Sequence, residues 1–157
     1  AERVDLYDLS QKILQELTPV AAKRGISLHM EGGRQTIQGV WRILHEMIYN
    51  LCDNAIKYNK DGGAVTVRVT EEEDQVVVSV EDTGIGISEG QQDRVFERFY
   101  RVDKSHSRRV GGSAGGTGLG LSIVKHGAQY HNAQLSLDSE PGAGTTITLR
   151  FPKQSAA

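Results

Sequence analysis

With 157 residues, 38% hydrophobic and 24% charged, the chain fits one domain with a core of its own. A formal charge of -2 argues against a general nucleic-acid binder, and no run of about 18 apolar residues could span a bilayer. Cys52 is the only cysteine, which excludes a disulfide framework or a thiolate metal site, and the opening residues do not read as a secretory signal. Arg3–Tyr7 reads as a short strand, followed by a helix capped by Asp8 or Ser10 and ended by Gly25, with Leu9, Ile13, Leu17 and Val20 on one face. Ser27–Glu31 and Thr36–Gln38 are expected to pair as a hairpin around Gly32 and Gly33. A long helix should run from about Trp41 to Asn59 and stop at Asp61-Gly62-Gly63. Alternating valines mark two strands, Ala64–Thr70 and Gln75–Val80, joined by the acidic tip Glu71–Asp74. Beyond Asp82-Thr83-Gly84-Ile85-Gly86-Ile87, Ser88 caps a helix to about Phe96, and Tyr100–Thr117 reads as a basic, glycine-rich loop. Gly118–Tyr130 resumes helical spacing, and strands Gln134–Asp138 and Thr145–Phe151 close the chain around Pro141-Gly142. Adjacent strand pairs beside a few helices imply an α+β two-layer sandwich, a mixed sheet with helices packed on one face, over a single domain spanning residues 1–157.

Four stretches carry chemistry. At about 100° per residue, Glu46, Asn50, Asn54 and Lys57 fall on one narrow face of the long helix, opposite Leu44, Met47, Ile48, Leu51 and Ala55. A solvated helix face fits that stripe as well as a ligand face does. Carboxamide oxygens are, however, hard neutral ligands for Mg²⁺, and Lys57 and Tyr58 add a charge and an aromatic ring. In Asp82-Thr83-Gly84-Ile85-Gly86, two glycines let backbone approach a flat ligand while the aspartate can accept from an exocyclic amine such as adenine's. An Asx turn after a strand is the plainer alternative. Gly116-Thr117-Gly118-Leu119-Gly120-Leu121-Ser122 is a glycine-rich helix entry whose amides suit phosphates. It is neither a Walker A loop nor a dinucleotide fingerprint. Phe96-Glu97-Arg98-Phe99-Tyr100-Arg101, with Lys104, Arg108 and Arg109, reads as a lid able to neutralise a polyphosphate, or as a solvated basic loop. Ten of the 18 glycines lie between Gly84 and Gly127. Cys52, within the apolar helix, reads as a small buried hydrophobe.

Taken together, Glu46-x3-Asn50-x3-Asn54-Ala55-x-Lys57-Tyr58, Asp82-x-Gly84-x-Gly86-Ile87, Phe96-x-x-Phe99-Tyr100-Arg101 and Gly116-x-Gly118-x-Gly120-Leu121 resemble the N, G1, F and G2 boxes, in that order. These are the boxes of the catalytic, ATP-binding domain of bacterial sensor histidine kinases, within the wider family that includes gyrase and Hsp90. The runs Phe-Tyr-Arg-Val-Asp-Lys-Ser and Gly-Leu-Ser-Ile-Val-Lys-His are most similar to phosphate-regulon-type sensors.

The resemblance implies ATP and Mg²⁺ as cofactors and the ATP-binding fold of that family. Asn50 would be the Mg²⁺ ligand, with Asn54 beside the phosphates. Lys57 and Arg101 would contact phosphates, Tyr58 would stack on adenine, and Asp82 would receive the adenine amine with a water near Thr145. Gly84, Ile85, Gly86, Ile87, Tyr100, Gly116, Thr117, Gly118, Leu119, Gly120 and Leu121 would complete the nucleotide site, and Glu46 would assist the phospho-acceptor histidine. Phosphoryl transfer needs mainly positioning and charge neutralisation, which these residue types supply. Val40 stands where the family often has an acidic residue, so the long helix lacks an evident N-cap. The lid is also longer than the family's usual one.

Such kinases carry the acceptor histidine on a separate dimerisation domain. Neither His45-Glu46 nor His29, His106, His126 or His131 sits in that acceptor motif. The expectation is therefore a catalytic domain alone, cytoplasmic and monomeric in isolation, without nucleic acid as a partner and not itself membrane-embedded. It would act on the dimerisation domain of the same kinase and, indirectly, on a response regulator. The alternatives are a related-fold ATPase, a serine-directed kinase of the anti-sigma type, or a nucleotide-binding module without transfer. The Phe-Tyr-Arg box argues against the first, and competent residue types at every motif position argue against the last.

Overall fold

The computed structural model describes residues 2–83, 115–140 and 144–153. Among these the order is β1 (Glu2–Asp5), α1 (Leu6–Lys23), β2 (Ser27–Gly32), β3 (Thr36–Gly39), α2 (Trp41–Lys57), β4 (Ala64–Glu72), β5 (Gln75–Asp82), α3 (Gly115–Tyr130), β6 (Gln134–Glu140) and β7 (Gly144–Pro152). Five strands form one sheet in the order β2-β4-β5-β7-β6, while β1 and β3 pair by themselves. β2 runs parallel to β4 and the other pairs are antiparallel, so the sheet is mixed, as the sequence implied. No described helix is long and apolar enough to cross a membrane.

Strand periodicity decides the core. Val65, Val67 and Val69 on β4, Val76, Val78 and Val80 on β5, and Leu149 and Phe151 on β7 are all buried. They meet Leu9, Ile13 and Leu17 of α1 and Leu44, Met47, Ile48, Leu51 and Ile56 of α2 in one cluster. Apart from Val77, the other sheet face is mostly polar: Arg68 lies between Glu31 (2.7 Å) and Glu81 (2.5 Å), two acceptors that raise its pKa, Glu81 first.

Several local expectations are corrected. Asp5, not Asp8 or Ser10, caps α1, accepting from the amides of Tyr7 (3.0 Å) and Asp8 (3.1 Å), so β1 ends before Leu6. Past Pro19 the buried stripe of α1 continues through Ala21, and Val20 is exposed. The segments around Gly32 and Gly33 do not pair with each other. Leu28 and Met30 lie against Val65 and Val67 of β4, whereas Ile37 faces Val4 of β1. The Gly-Gly signal marks a break between sheets, because each segment gains more by covering a different apolar row than by pairing locally. α2 ends at Lys57 with Tyr58 as C-cap, and α3 begins at Gly115, earlier than the glycine spacing suggested.

Val40 takes the N-cap position of α2 without a side-chain bond. Its amide is satisfied from elsewhere: it donates to His131 Nε2 (3.1 Å), while His131 Nδ1 lies 2.8 Å from the Gly127 carbonyl. An Nε2 that accepts leaves Nδ1 as the donor, so this contact fixes the neutral ring in one tautomer. The same histidine meets Phe151 edge-on, tying the end of α3 to the start of α2 and to the sheet.

Candidate functional site

α2 and α3 lie side by side and antiparallel. A Cβ on Gly127 would stand 2.5 Å from Met47 Cγ and Sδ and 3.1 Å from Ile43, so only glycine allows this approach. His131, one turn later on α3, meets Val40, earlier on α2. Going back along α3 therefore means going forward along α2. From Gly127 to Gly120 and from Met47 to Asn54 the rise is the same, about 10 Å. On that pairing the glycine-rich first turns of α3, Gly116–Leu121, run level with the Asp53–Tyr58 end of α2, Gly120 opposite Asn54, and the first amides of a helix have no intrahelical partners.

On α2, Glu46 is exposed, Asn50 and Asn54 are half-buried, and Lys57 is exposed. Asn50 Nδ2 donates to the Glu46 carbonyl (2.6 Å), so the helix engages its donor end and not its oxygen. Lys57 Nζ pairs with Asp53 at 3.2 Å, a contact the sequence reading missed although acid-to-lysine spacing of four residues signals it. His45, next to Glu46, stacks between Trp41 and Tyr49 and lies 3.2 Å from Glu16 of α1. Cys52 is fully buried, and burial, followed by Asp53, pushes its thiol up to about 12, so it remains a neutral packing group.

At the far end, Asp82 closes β5 inside the strand and not in a turn after it, buried opposite Val65 on one side and Thr145 on the other. Thr145 in turn faces Ser139 of β6, their hydroxyls 2.8 Å apart, and Ser139 donates to the Gly144 carbonyl (3.1 Å). With that hydrogen committed, Thr145 is the donor to Ser139 and keeps acceptor capacity toward the cavity. The cavity, about 150 Å³, is lined by Glu81, Asp82, Asp138, Ser139, Gly144, Thr145 and Thr146. Ser139 was missed from sequence, though the alternation Leu135, Leu137, Ser139 puts it on the inner face at the level of Thr145. Tyr58 stands at the C-cap of α2, 53% exposed despite its size.

Gly84, Ile85, Gly86, Ile87, Tyr100 and Arg101, with the Ser88 helix and the basic lid, lie outside the described residues. No group of three His, Cys, Asp or Glu able to hold a metal occurs among the described residues; on α2 the Asn50 carboxamide offers a hard neutral oxygen, and Mg²⁺ usually takes one or two protein oxygens and fills the rest of its shell with water and substrate phosphate. The donor set at Asn50 fits Mg²⁺ on those terms.

Comparison with known proteins shows the family. The chain is 47% identical over 111 residues to the sensor-like histidine kinase SenX3 of Mycolicibacterium smegmatis, covering 71% of this chain and 28% of that protein. It is 43% identical over 114 residues to the phosphate regulon sensor protein PhoR of Pseudomonas aeruginosa, covering 73% of this chain and 25% of that protein. The chain thus spans about a quarter of the length of these relatives. Among solved structures it superposes on the mycobacterial sensor histidine kinase MprB with a TM-score of 0.77 and 28% identity, over 96% of each chain. The family of histidine kinase-, DNA gyrase B-, and HSP90-like ATPases matches residues 39–155, which include both the α2 stripe and the Asp82–Thr145 pair, and this chain belongs to it.

Proposed function

We propose that this chain binds Mg-ATP and transfers the γ-phosphoryl group to a histidine on a separate dimerisation domain, as the catalytic part of a two-component sensor kinase. The observation that carries the reading is the alignment of two ends of one site. The Asn54–Tyr58 end of α2 lies beside the glycine-rich start of α3, with Asn50 one turn further back, while a buried carboxylate, Asp82, closes a strand under α2. An adenine amine needs an acceptor in a dry, shaped place, and a triphosphate needs amide donors and a hard-oxygen ligand. The named relatives are sensor kinases, which favours phosphoryl transfer over the ATPase members of the family.

In this reading Asp82 and Thr145 orient the base and Tyr58 covers it. Lys57 exchanges Asp53 for phosphate, and the amides of Gly116–Gly120 hold the phosphate chain. Mg²⁺ held by Asn50 would neutralise phosphate charge as it develops. Glu46, exposed one turn before Asn50, would orient or deprotonate an incoming imidazole. Gly84–Ile87, Tyr100 and Arg101 complete the nucleotide contacts. The response regulator is reached through the phosphorylated partner, and the chain would work on the cytoplasmic side.

The test is calorimetric titration with ATP, with and without Mg²⁺, followed by labelled-ATP incubation with the dimerisation domain of the same kinase. Mg²⁺-dependent binding and label on the partner, with none on the chain alone, are expected. Absence of binding sinks the nucleotide site; binding without label on the partner sinks the transfer.

A further inference from the structure

Arg24 follows α1 as its C-cap, yet its side chain serves the end of α2. Nη1 donates to the carbonyls of Ile56 (2.5 Å) and Lys57 (2.9 Å), Nη2 to that of Asn59, and Nε to Asp61 Oδ1 (3.0 Å). Carbonyls in a helix's last turn lack the amide one turn on; that of Ile56 takes the Asn59 amide (3.2 Å) as well as Arg24, and a planar guanidinium can reach several such carbonyls at once where an ammonium cannot. The backbone returns the contact, Gly62 N donating to the Arg24 carbonyl (3.0 Å).

The network continues past α2. Asn59, only 5% exposed, receives the Lys60 amide on Oδ1 (2.8 Å) and donates from Nδ2 to the Ala64 carbonyl (3.0 Å). Ala64 is bound on both sides to Thr83: its amide donates to Thr83 Oγ1 (2.8 Å), and its carbonyl accepts the Thr83 amide (3.0 Å). An unbroken series of hydrogen bonds therefore runs from Arg24 to Thr83. It brackets Tyr58 through Lys57 and Asn59 at one end and adjoins Asp82 at the other.

We propose that Arg24 and Asn59 are positioning residues that set the distance between the Tyr58 ring and the Asp82 carboxylate, and thereby the preference for adenine over guanine. The proposal rests on the ATP reading above. Guanine carries a carbonyl where adenine carries its amine, so a carboxylate held at a fixed distance from the stacking ring rejects it. A site whose two halves drift apart binds both bases through stacking and phosphate alone. A purely structural loss lowers the folded fraction for every nucleotide alike, so the ratio of affinities isolates positioning from stability.

The experiment measures ATP and GTP affinity by calorimetry for the wild type, Arg24→Ala, Arg24→Lys and Asp61→Asn. It adds amide exchange of the nucleotide-free proteins. In Arg24→Ala, ATP affinity should fall about tenfold while GTP affinity changes less than about twofold. Arg24→Lys should recover part of the ratio, and Asp61→Asn, whose exposed ion pair contributes little, should keep all of it. The Tyr58 and Thr83 amides should exchange roughly tenfold faster in Arg24→Ala. An unchanged ATP-to-GTP ratio, or equal losses for both, overturns the proposal. If Arg24→Ala does not fold, Arg24→Lys carries the same ratio test. A wild type that binds no ATP overturns the nucleotide reading instead, and the exchange rates then test the frame alone: unchanged rates at Tyr58 and Thr83 overturn it.

Discussion

Asp82→Asn changes one charge and almost no volume at a buried polar position of the site. The strand should tolerate it, because the register of β5 with β4 and β7 rests on backbone bonds, and removing a charge from a side chain only 9% exposed removes a desolvation cost. Binding is another matter. A hydrogen bond to a charged acceptor contributes about 1.5–3 kcal/mol and a neutral one about 0.5–1.5, so the carboxamide oxygen forfeits about 1–1.5 kcal/mol, roughly tenfold in affinity. Should the amide nitrogen turn inward, donor faces donor and the loss approaches a hundredfold. Calorimetry with ATP should therefore report a tenfold to hundredfold weaker complex. The unfolding midpoint should stay within about 2 °C of the wild type. Unchanged ATP affinity in a folded variant would show that Asp82 does not contact the base.

Asn50→Ala should abolish the Mg²⁺ dependence of ATP affinity together with transfer, whereas Glu46→Gln should bind Mg-ATP almost normally and transfer about 10²–10⁴-fold more slowly; a wild-type transfer rate in Glu46→Gln refutes its role. His131→Ala leaves the Val40 amide without its acceptor and removes a ring packed on Phe151, so a loss of about 1–3 kcal/mol is expected; an unchanged melting temperature would refute the capping role. Burial holds the Cys52 thiol near 12 in the fold against an ordinary 9.0, so the unfolded chain releases its proton first as pH rises. Stability from this group is whole below pH 9 and falls above it by about 1.4 kcal/mol per pH unit, until the folded thiol also ionises. Cys52→Ala should therefore show a shallower alkaline decline than the wild type in denaturant titrations; equal slopes would mean the thiol is not shielded.

What the sequence disclosed well was anything carried by a single element. The α2 stripe, the valine alternation of β4 and β5 and the buried character of Cys52 follow from one period read along one segment, and the structure has them. What it hid was decided between elements. Gly32-Gly33 has the chemistry of a tight turn, yet β2 pairs in parallel with β4, a partner more than thirty residues away. The partner of the Val40 amide could not be found near Val40, because the acceptor is His131, on another helix and 91 residues along the chain. Lys57 is the opposite case: its partner Asp53 lies one turn away, and an acid four residues before a lysine marks the pair from spacing alone.

The position of the base site shows how such non-local decisions become function. Along the inner face of the sheet, rows cross the strands: Met30, Val67, Val80, Ile147 and Leu137 form one, and Leu28, Val65, Asp82, Thr145 and Ser139 the next. The first is wholly apolar; the second turns polar from β5 onward. A slip of one residue between β5 and β7 would carry Asp82 or Thr145 to the outer face, beside Glu81 and Arg68, and dissolve the pocket. The valines that bury the core forbid that slip. Gly144 pins the same register from the site's own end: its φ is +106°, and a Cβ there would stand 1.9 Å from the Asp82 carbonyl oxygen. Glycine at 144 thus lets β7 begin hard against Asp82, and the carboxylate and the Thr145 hydroxyl reach one cavity because core packing and this backbone approach demand the same register.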